Sequence, residues 1–153
     1  MFRGINAVKI DAKGRLAVPA RYRVVLQAQA TASSMVITID TEDPCLLLYP
    51  MDVWEEIEQK IEALPSFNKV TRRIKRLLIG HATEVDLDGQ GRILVPPLLR
   101  AHAKLEGKAM LVGQGKKFEI WGESVWQSER DTWLKDAASE GNVLPDDFDH
   151  LSV

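Results

Sequence analysis

The chain contains one pattern twice, and no other feature restricts its fold as strongly. VKIDAKGRLAVPARYR at residues 8–23 returns as VDLDGQGRILVPPLLR at residues 85–100. The alignment that lays Asp11 on Asp88 also lays Gly14 on Gly91, Arg15 on Arg92, Leu16 on Ile93, Val18 on Val95 and Pro19 on Pro96. Later, LYPMDVW at 48–54 matches IWGESVW at 120–126. The interval between these landmarks is slightly shorter in the second copy, a difference that a loop absorbs cheaply. A chain of 153 residues built this way reads as two half-sized copies of one unit.

Each copy has the same local logic. Val8 and Ile10, then Leu16 and Val18, alternate with polar neighbours, the pattern of strands with one buried face. Between them, Asp11-Ala-Lys-Gly14 places an Asx side chain at the first turn position and Gly at the fourth. That order suits a type I turn followed by a residue at positive φ, a common hairpin closure. Pro19 then ends the ladder and opens a helix through Tyr22, Val25 and Leu26. Asp52-Val-Trp-Glu55 and Ser124-Val-Trp-Gln127 both fit a capping box. After the first, Trp54, Ile57, Ile61 and Leu64 keep helical spacing up to Pro65. After the second, Trp126 and Trp133 share a helix face that packs on the body or a neighbouring subunit.

Residues 68–82, NKVTRRIKRLLIGHA, form an amphipathic basic helix ending near Gly80. Its cations serve either as a second nucleic-acid contact or as partners for the acidic helix at 52–62, in this or another subunit. The expected organisation is a first repeat with its helix at 1–64, a basic linker helix at 65–82, a second repeat with its helix at 83–135, and an acidic, mobile tail at 136–153.

Charge is unevenly spread. The net charge is -2, yet residues 1–39 hold six cations (Arg3, Lys9, Lys13, Arg15, Arg21, Arg23) against one acid, Asp11. Residues 136–153 hold five acids and no Lys or Arg. A basic front end on an acidic chain points to a local anionic partner. The longest apolar stretches are too short to span a bilayer, and MFRGINAV lacks the apolar core of a signal peptide, so a cytoplasmic protein is expected. The single Cys45 cannot form an internal disulfide and reads as a core residue.

The motif Asp-x-x-Gly-Arg-[Leu/Ile]-x-Val-Pro resembles the AbrB/SpoVT-like swapped-hairpin DNA-binding proteins. The opening MFRG, both motif copies, CLLLYP and RRIKRLLIGHA together resemble the MraZ family over almost the whole chain to about residue 135. The resemblance implies an α+β fold: two tandem swapped-hairpin β units forming an intrachain pseudo-dimeric β barrel with flanking helices. It also implies closed homo-oligomeric rings, no cofactor, and a nucleoid-associated transcription factor, a repressor. The implied target is a set of direct-repeat boxes in the promoter of a division and cell-wall gene cluster that includes its own gene.

The residues support a DNA contact on their own chemistry. Arg15 can grip phosphate or pair with guanine O6 and N7, and a two-stranded ribbon fits the major groove. Lys13 at the turn suits a phosphate or a guanine edge, while Arg3, Lys9, Arg21 and Arg23 extend a phosphate track that positions without reading. Arg92 keeps the motif position in the second copy, where Asp86 replaces Lys9 and Gln90 replaces Lys13, so the first copy carries most of the attraction. Asp11, Gly14, Asp88 and Gly91 are expected to shape the turns.

Three other readings are weaker. His81, His102, His150 and Cys45 lack metal-site spacing, and no nucleophile elbow or phosphate loop occurs, so no enzyme is expected. A ring-forming scaffold would use the basic hairpin on an acidic protein. An AbrB-like antitoxin ordinarily has one hairpin and a long tail, against two copies and a short tail here.

Overall fold

The computed structural model describes residues 1–28 and 34–139, and most of the acidic tail lies outside the described residues. Among those described, eight strands alternate with five helices. The first half contains β1 (Ile5–Lys9), β2 (Arg15–Ala17), α1 (Ala20–Gln27), β3 (Ser34–Ile39), β4 (Leu46–Pro50) and α2 (Met51–Glu62). A linker follows, α3 (Lys69–Ile74) continued by one π-helical turn at Lys75–Ile79. The second half repeats the order with β5 (Thr83–Asp86), β6 (Arg92–Leu94), α4 (Pro97–Ala103), β7 (Lys108–Gly113), β8 (Phe118–Gly122) and α5 (Glu123–Ser139). No helix among the described residues is long and apolar enough to cross a membrane.

Pairing ties the halves together. The main sheet runs β1-β7-β8-β4-β3-β5, and β2 pairs with β6 in a separate two-stranded ribbon. This order reads the same when the halves are exchanged. The ribbon register sets Arg15 against Leu94, Leu16 against Ile93 and Ala17 against Arg92, so a pseudo-two-fold axis passes between Leu16 and Ile93. Leu47 against Glu119 marks the same axis in the β4–β8 pair. These pairings give an antiparallel sheet and a ribbon; they do not by themselves close a barrel.

The turn at residues 11–14 therefore reverses the chain without making a simple hairpin. A single bridge joins Ile10 to Leu16, after which β1 leaves for β7 and β2 for β6. Local turn chemistry sets the reversal, and apolar partners in the other half decide the pairing.

Strand alternation builds the layers. Ile37, Ile39, Leu46, Leu48, Leu111, Phe118 and Ile120 face the main core with Leu16, Ile93, Tyr22, Leu26 and Leu99. Their neighbours face the other side, where Val36, Leu47 and Tyr49 meet Trp54 of α2. On the same side Met110, Val112 and Trp121 meet Trp126 of α5. Trp133 joins them, its ring edge-on to Trp121 at 5.4 Å, so the tryptophan face of α5 packs on the body of its own chain. Because the central strands are covered on both faces, MVITI and LLLY read as continuous apolar runs. Leu16 and Ile93 are fully buried; each contributes about 1.5–3 kcal/mol and anchors the ribbon to the core.

Two expectations about helix ends need correction. α2 begins at Met51 with Pro50 at the N-cap and no side-chain cap, and α5 begins at Glu123. Neither capping box forms. β4 and β8 run straight into their helices, so Asp52 lies in the first turn, where its charge complements the helix dipole. At the far end α5 continues to Ser139 and takes in the first residues of the stretch expected as tail.

Candidate nucleic-acid interface

The two Asp-to-Arg turns have one geometry. In the first, the Lys13 and Arg15 amides donate to Asp11 Oδ1 at 3.0 and 2.9 Å, and Arg15 Nε donates to Oδ2 at 2.7 Å. In the second, the Gln90 and Arg92 amides donate to Asp88 Oδ1, both at 2.9 Å, and Arg92 Nε donates to Oδ2 at 3.0 Å. The Arg15 amide, chiefly, holds the Asp11 carboxyl below its ordinary value, and the Arg92 amide does the same for Asp88. Both carboxylates stay ionised and face their own turn. Each arginine is thus held through Nε, and its terminal nitrogens make no hydrogen bond among the described residues.

The ribbon brings these turns side by side. Val18 N–H donates to the Gly91 carbonyl at 3.0 Å, and Val95 N–H donates to the Gly14 carbonyl at 2.8 Å. Arg92 Nη1 also approaches Asp11 Oδ2 at 4.0 Å. Leu16 and Ile93 point inward, so Arg15, Ala17, Arg92 and Leu94 form the outer face of the ribbon.

Arg100 joins this group, although the Asp-to-Arg motif itself does not single it out. In the repeat alignment it falls on Arg23, and the structure treats the pair alike. Arg23 lies across Gly91, where an added Cβ would stand 2.3 Å from its Cδ and Nη1. Arg100 lies across Gly14, where an added Cβ would stand 2.6 Å from its Nε and 2.8 Å from the Val95 carbonyl oxygen. Both Nε atoms are buried without a hydrogen-bond partner among the described residues, while Arg100 Nη1 donates to the Ala12 carbonyl at 3.4 Å. Glycine is required twice over at these turns, for positive φ (+89° at Gly14, +72° at Gly91) and for the arginine packed on it. Arg15 and Arg92 thus pair with Asp11 and Asp88, while Arg100 and Arg23 pack on the glycines of the same turns.

The other candidates lie away from the turns. Arg21 Nη2 donates to Asn6 Oδ1 and Tyr22 Oη, both at 2.8 Å, and the Tyr22 hydroxyl donates to the Arg3 carbonyl. Arg3 and Arg21 line a cleft of about 450 Å³ with Met1, Phe2, Gly4 and Tyr22. Lys9, at the end of edge strand β1, pairs directly with Lys108 of β7. On α3 and the turn after it, Lys69, Arg72, Arg73 and Arg76 line a cleft of about 360 Å³ with Leu77. Among the described residues these cations make no ion pair with the acids of α2, so the two helices do not neutralise each other within one chain.

The other notable cluster is apart from the ribbon. Asp40, Cys45 and Glu119 place ligand atoms within 4.8 Å of one another. The thiol donates to Asp40 Oδ2 at 3.7 Å, and Trp121 Nε1 donates to Glu119 Oε1 at 3.0 Å. Burial first, then the neighbouring carboxylates, push the Cys45 thiol upward. A thiol held protonated is a poor metal ligand.

Two interlocked pseudo-symmetric halves that present a basic two-stranded ribbon over paired Asp–Arg turns define a class of protein suited to gripping a polyanion. The family model "MraZ protein, putative antitoxin-like" matches residues 1–77 and 78–140. The chain belongs to the MraZ family. It is 55% identical over 153 residues to the "Transcriptional regulator MraZ" of Coxiella burnetii (strain RSA 493 / Nine Mile phase I), covering 100% of both chains. Identity to the protein of that name from Legionella pneumophila (strain Paris) is 52% over 153 residues, again covering 100% of both. The Hydrogenovibrio crunogenus protein of that name is 54% identical over 142 residues, which covers 93% of this chain and 92% of the relative.

Proposed function

We propose that the chain is a DNA-binding transcriptional regulator that reads DNA through the outer face of the β2–β6 ribbon. The observation that carries this reading is the pairing of β2 with β6, which sets the half-buried Arg15 and Arg92 on one outer face. A ribbon of two strands matches the major groove, and guanidinium groups match guanine O6 and N7. Its full-length relatives bear the name transcriptional regulator.

Lys13, Arg15 and Arg92 act at the groove. Arg3, Lys9, Arg21 and Arg23 supply phosphate contacts of lower information content, with Arg23 and Arg100 also seating the turns. Asp11, Gly14, Asp88 and Gly91 shape them. The cross-paired halves serve as a swapped-hairpin barrel of the AbrB kind, which would explain the exchange of strands at both poles of the pseudo-axis. Residues 1–64, 65–82, 83–135 and 136–153 act as first repeat, basic linker, second repeat and acidic tail.

The protein acts in the cytoplasm, on the nucleoid, without a cofactor. It represses promoters with direct-repeat boxes, those of a division and cell-wall gene cluster and its own gene among them. Several copies close into a ring, for which the acidic α2 and basic α3 surfaces offer complementary charge. A ring facing repeated boxes turns weak single contacts into avidity when the spacing matches, and binding weakens steeply with salt.

Fluorescence anisotropy tests the reading, with the duplex upstream of the protein's own gene against a shuffled duplex of equal composition. Tight binding to the first alone, lost in Arg15→Ala while the melting curve is kept, is the expected result. Equal affinity for the two duplexes would overturn it.

A further inference from the structure

The arginines leave one part of the ribbon unexplained. Leu94 is 58% exposed although it sits in a strand whose next residue inward, Ile93, is fully buried. It pairs directly with Arg15, and directly opposed side chains lie on one face with Cβ atoms roughly 4.5–5.5 Å apart. The counterpart of Leu94 in the first half is Ala17, which pairs with Arg92. The ribbon is two-fold symmetric in its arginines and asymmetric in this aliphatic position. The asymmetry continues into α4, where exposed Leu98 stands at the position of Arg21.

A branched aliphatic group beside a groove-reading guanidinium gains by burial against a hydrocarbon surface. The major groove offers one on its base edges, the C5 methyl of thymine. We infer that Leu94 is a specificity-determining residue that packs on a thymine methyl next to the guanine taken by Arg15. The inference rests on the DNA-reading role proposed above. A fully symmetric ribbon would favour palindromes. This ribbon reads in one direction, so the sequence under it is non-palindromic.

The experiment starts from the duplex that the wild-type protein itself selects out of a random-sequence pool. Each thymine of that duplex is then replaced singly by deoxyuridine, which deletes a methyl group and leaves every hydrogen-bonding atom. Wild type should lose about fourfold in affinity at one thymine, the worth of one methyl-sized group moved out of water. Leu94→Ala should bind the unmodified duplex about as weakly and show no response to uracil at that position. Ala17→Leu should acquire a methyl response in a second duplex that carries a thymine at the symmetry-related base pair.

Absence of any uracil-sensitive thymine in wild type would overturn the inference, as would a response that survives in Leu94→Ala. A Leu94→Ala protein that keeps the uracil response but sediments as a smaller particle would make Leu94 a subunit contact instead. Melting by circular dichroism should be unchanged, because the side chain is removed from the surface. Failure of wild type to select any sequence would strike at the DNA-reading role itself, a separate result from the thymine arm.

Discussion

At the first turn Asp11 closes a loop whose tip carries Ala12 and Lys13; at the second Asp88 closes the same loop around Gly89 and Gln90. The widest disagreement between matched hydrogen bonds is 2.7 Å in the first turn against 3.0 Å in the second, at the arginine Nε. What differs is the cargo: Lys9, Lys13 and Arg21 on one side become Asp86, Gln90 and Leu98 on the other. Carboxylate, glycine and motif arginine thus form a frame, and charge at the tip can change without disturbing it. Two copies within one chain can differ in this way, whereas two identical chains in a dimer cannot.

The hardest test breaks the frame itself. Gly14→Val forces a β-branched residue to φ +89° and drives its Cβ toward the Val95 carbonyl and Arg100. A loss of about 3 kcal/mol or failure to fold is expected, read as a drop in melting temperature. Gly89→Ala is the contrast, since a Cβ there meets nothing within 4 Å, and it should melt within a few degrees of wild type. Similar melting for both variants would show that the frame does not depend on its glycines.

A second test separates frame from charge. Arg15→Ala should cost about 100-fold in specific affinity and Arg92→Ala about 10-fold, within the range for losing a base-reading guanidinium. Gln90→Lys, which copies the first tip onto the second, should tighten binding and steepen its salt dependence by about one unit of log–log slope. Equal losses at the two arginines would mean that the halves share the reading evenly.

The smallest effect concerns the other pole of the pseudo-axis, where Leu47 of one half meets Glu119 of the other. Burial, opposed by the Trp121 hydrogen bond, raises the Glu119 carboxyl above its ordinary 4.5. A carboxyl raised in the folded state stabilises fully below its unfolded value, and that contribution is lost as pH rises through the folded value. Glu119→Gln keeps an oxygen for Trp121 and removes the loss. It should melt about 2 °C above wild type at pH 7 and no higher at pH 4; a gain at both would locate the effect in packing.

Much of this arrangement is legible in the sequence. The constant offset between the two motif copies contains the pseudo-symmetry, and Asp11 with Gly14 carries its turn in its own chemistry. Alternation along Val8–Ile10 and Leu16–Val18 gives the buried faces. Strand partners are less accessible, because a turn says where the chain reverses and apolar surface far away says what it then meets. Arg100 is visible in principle as the repeat of Arg23, but only a reading that carries every motif position across would pick it out. The first capping box misleads because Pro50 already sets the helix entry, and the second because α5 already begins at Glu123. The proximity of Asp40, Cys45 and Glu119 exists only once the two halves meet.

Cross-pairing also sets a timetable for synthesis. Ile5 waits for Val112, far along the second half, and at ribosomal speeds that gap lasts roughly 5–20 s. Until β6 and then β7 are made, β2 and β1 of the first half lack their partners and its apolar strands stay uncovered, the state in which open edges recruit other chains. Maturation of the amino-terminal half is therefore clocked by translation of the carboxy-terminal one, and a polypeptide halted after the first repeat would be a client for chaperones and proteases.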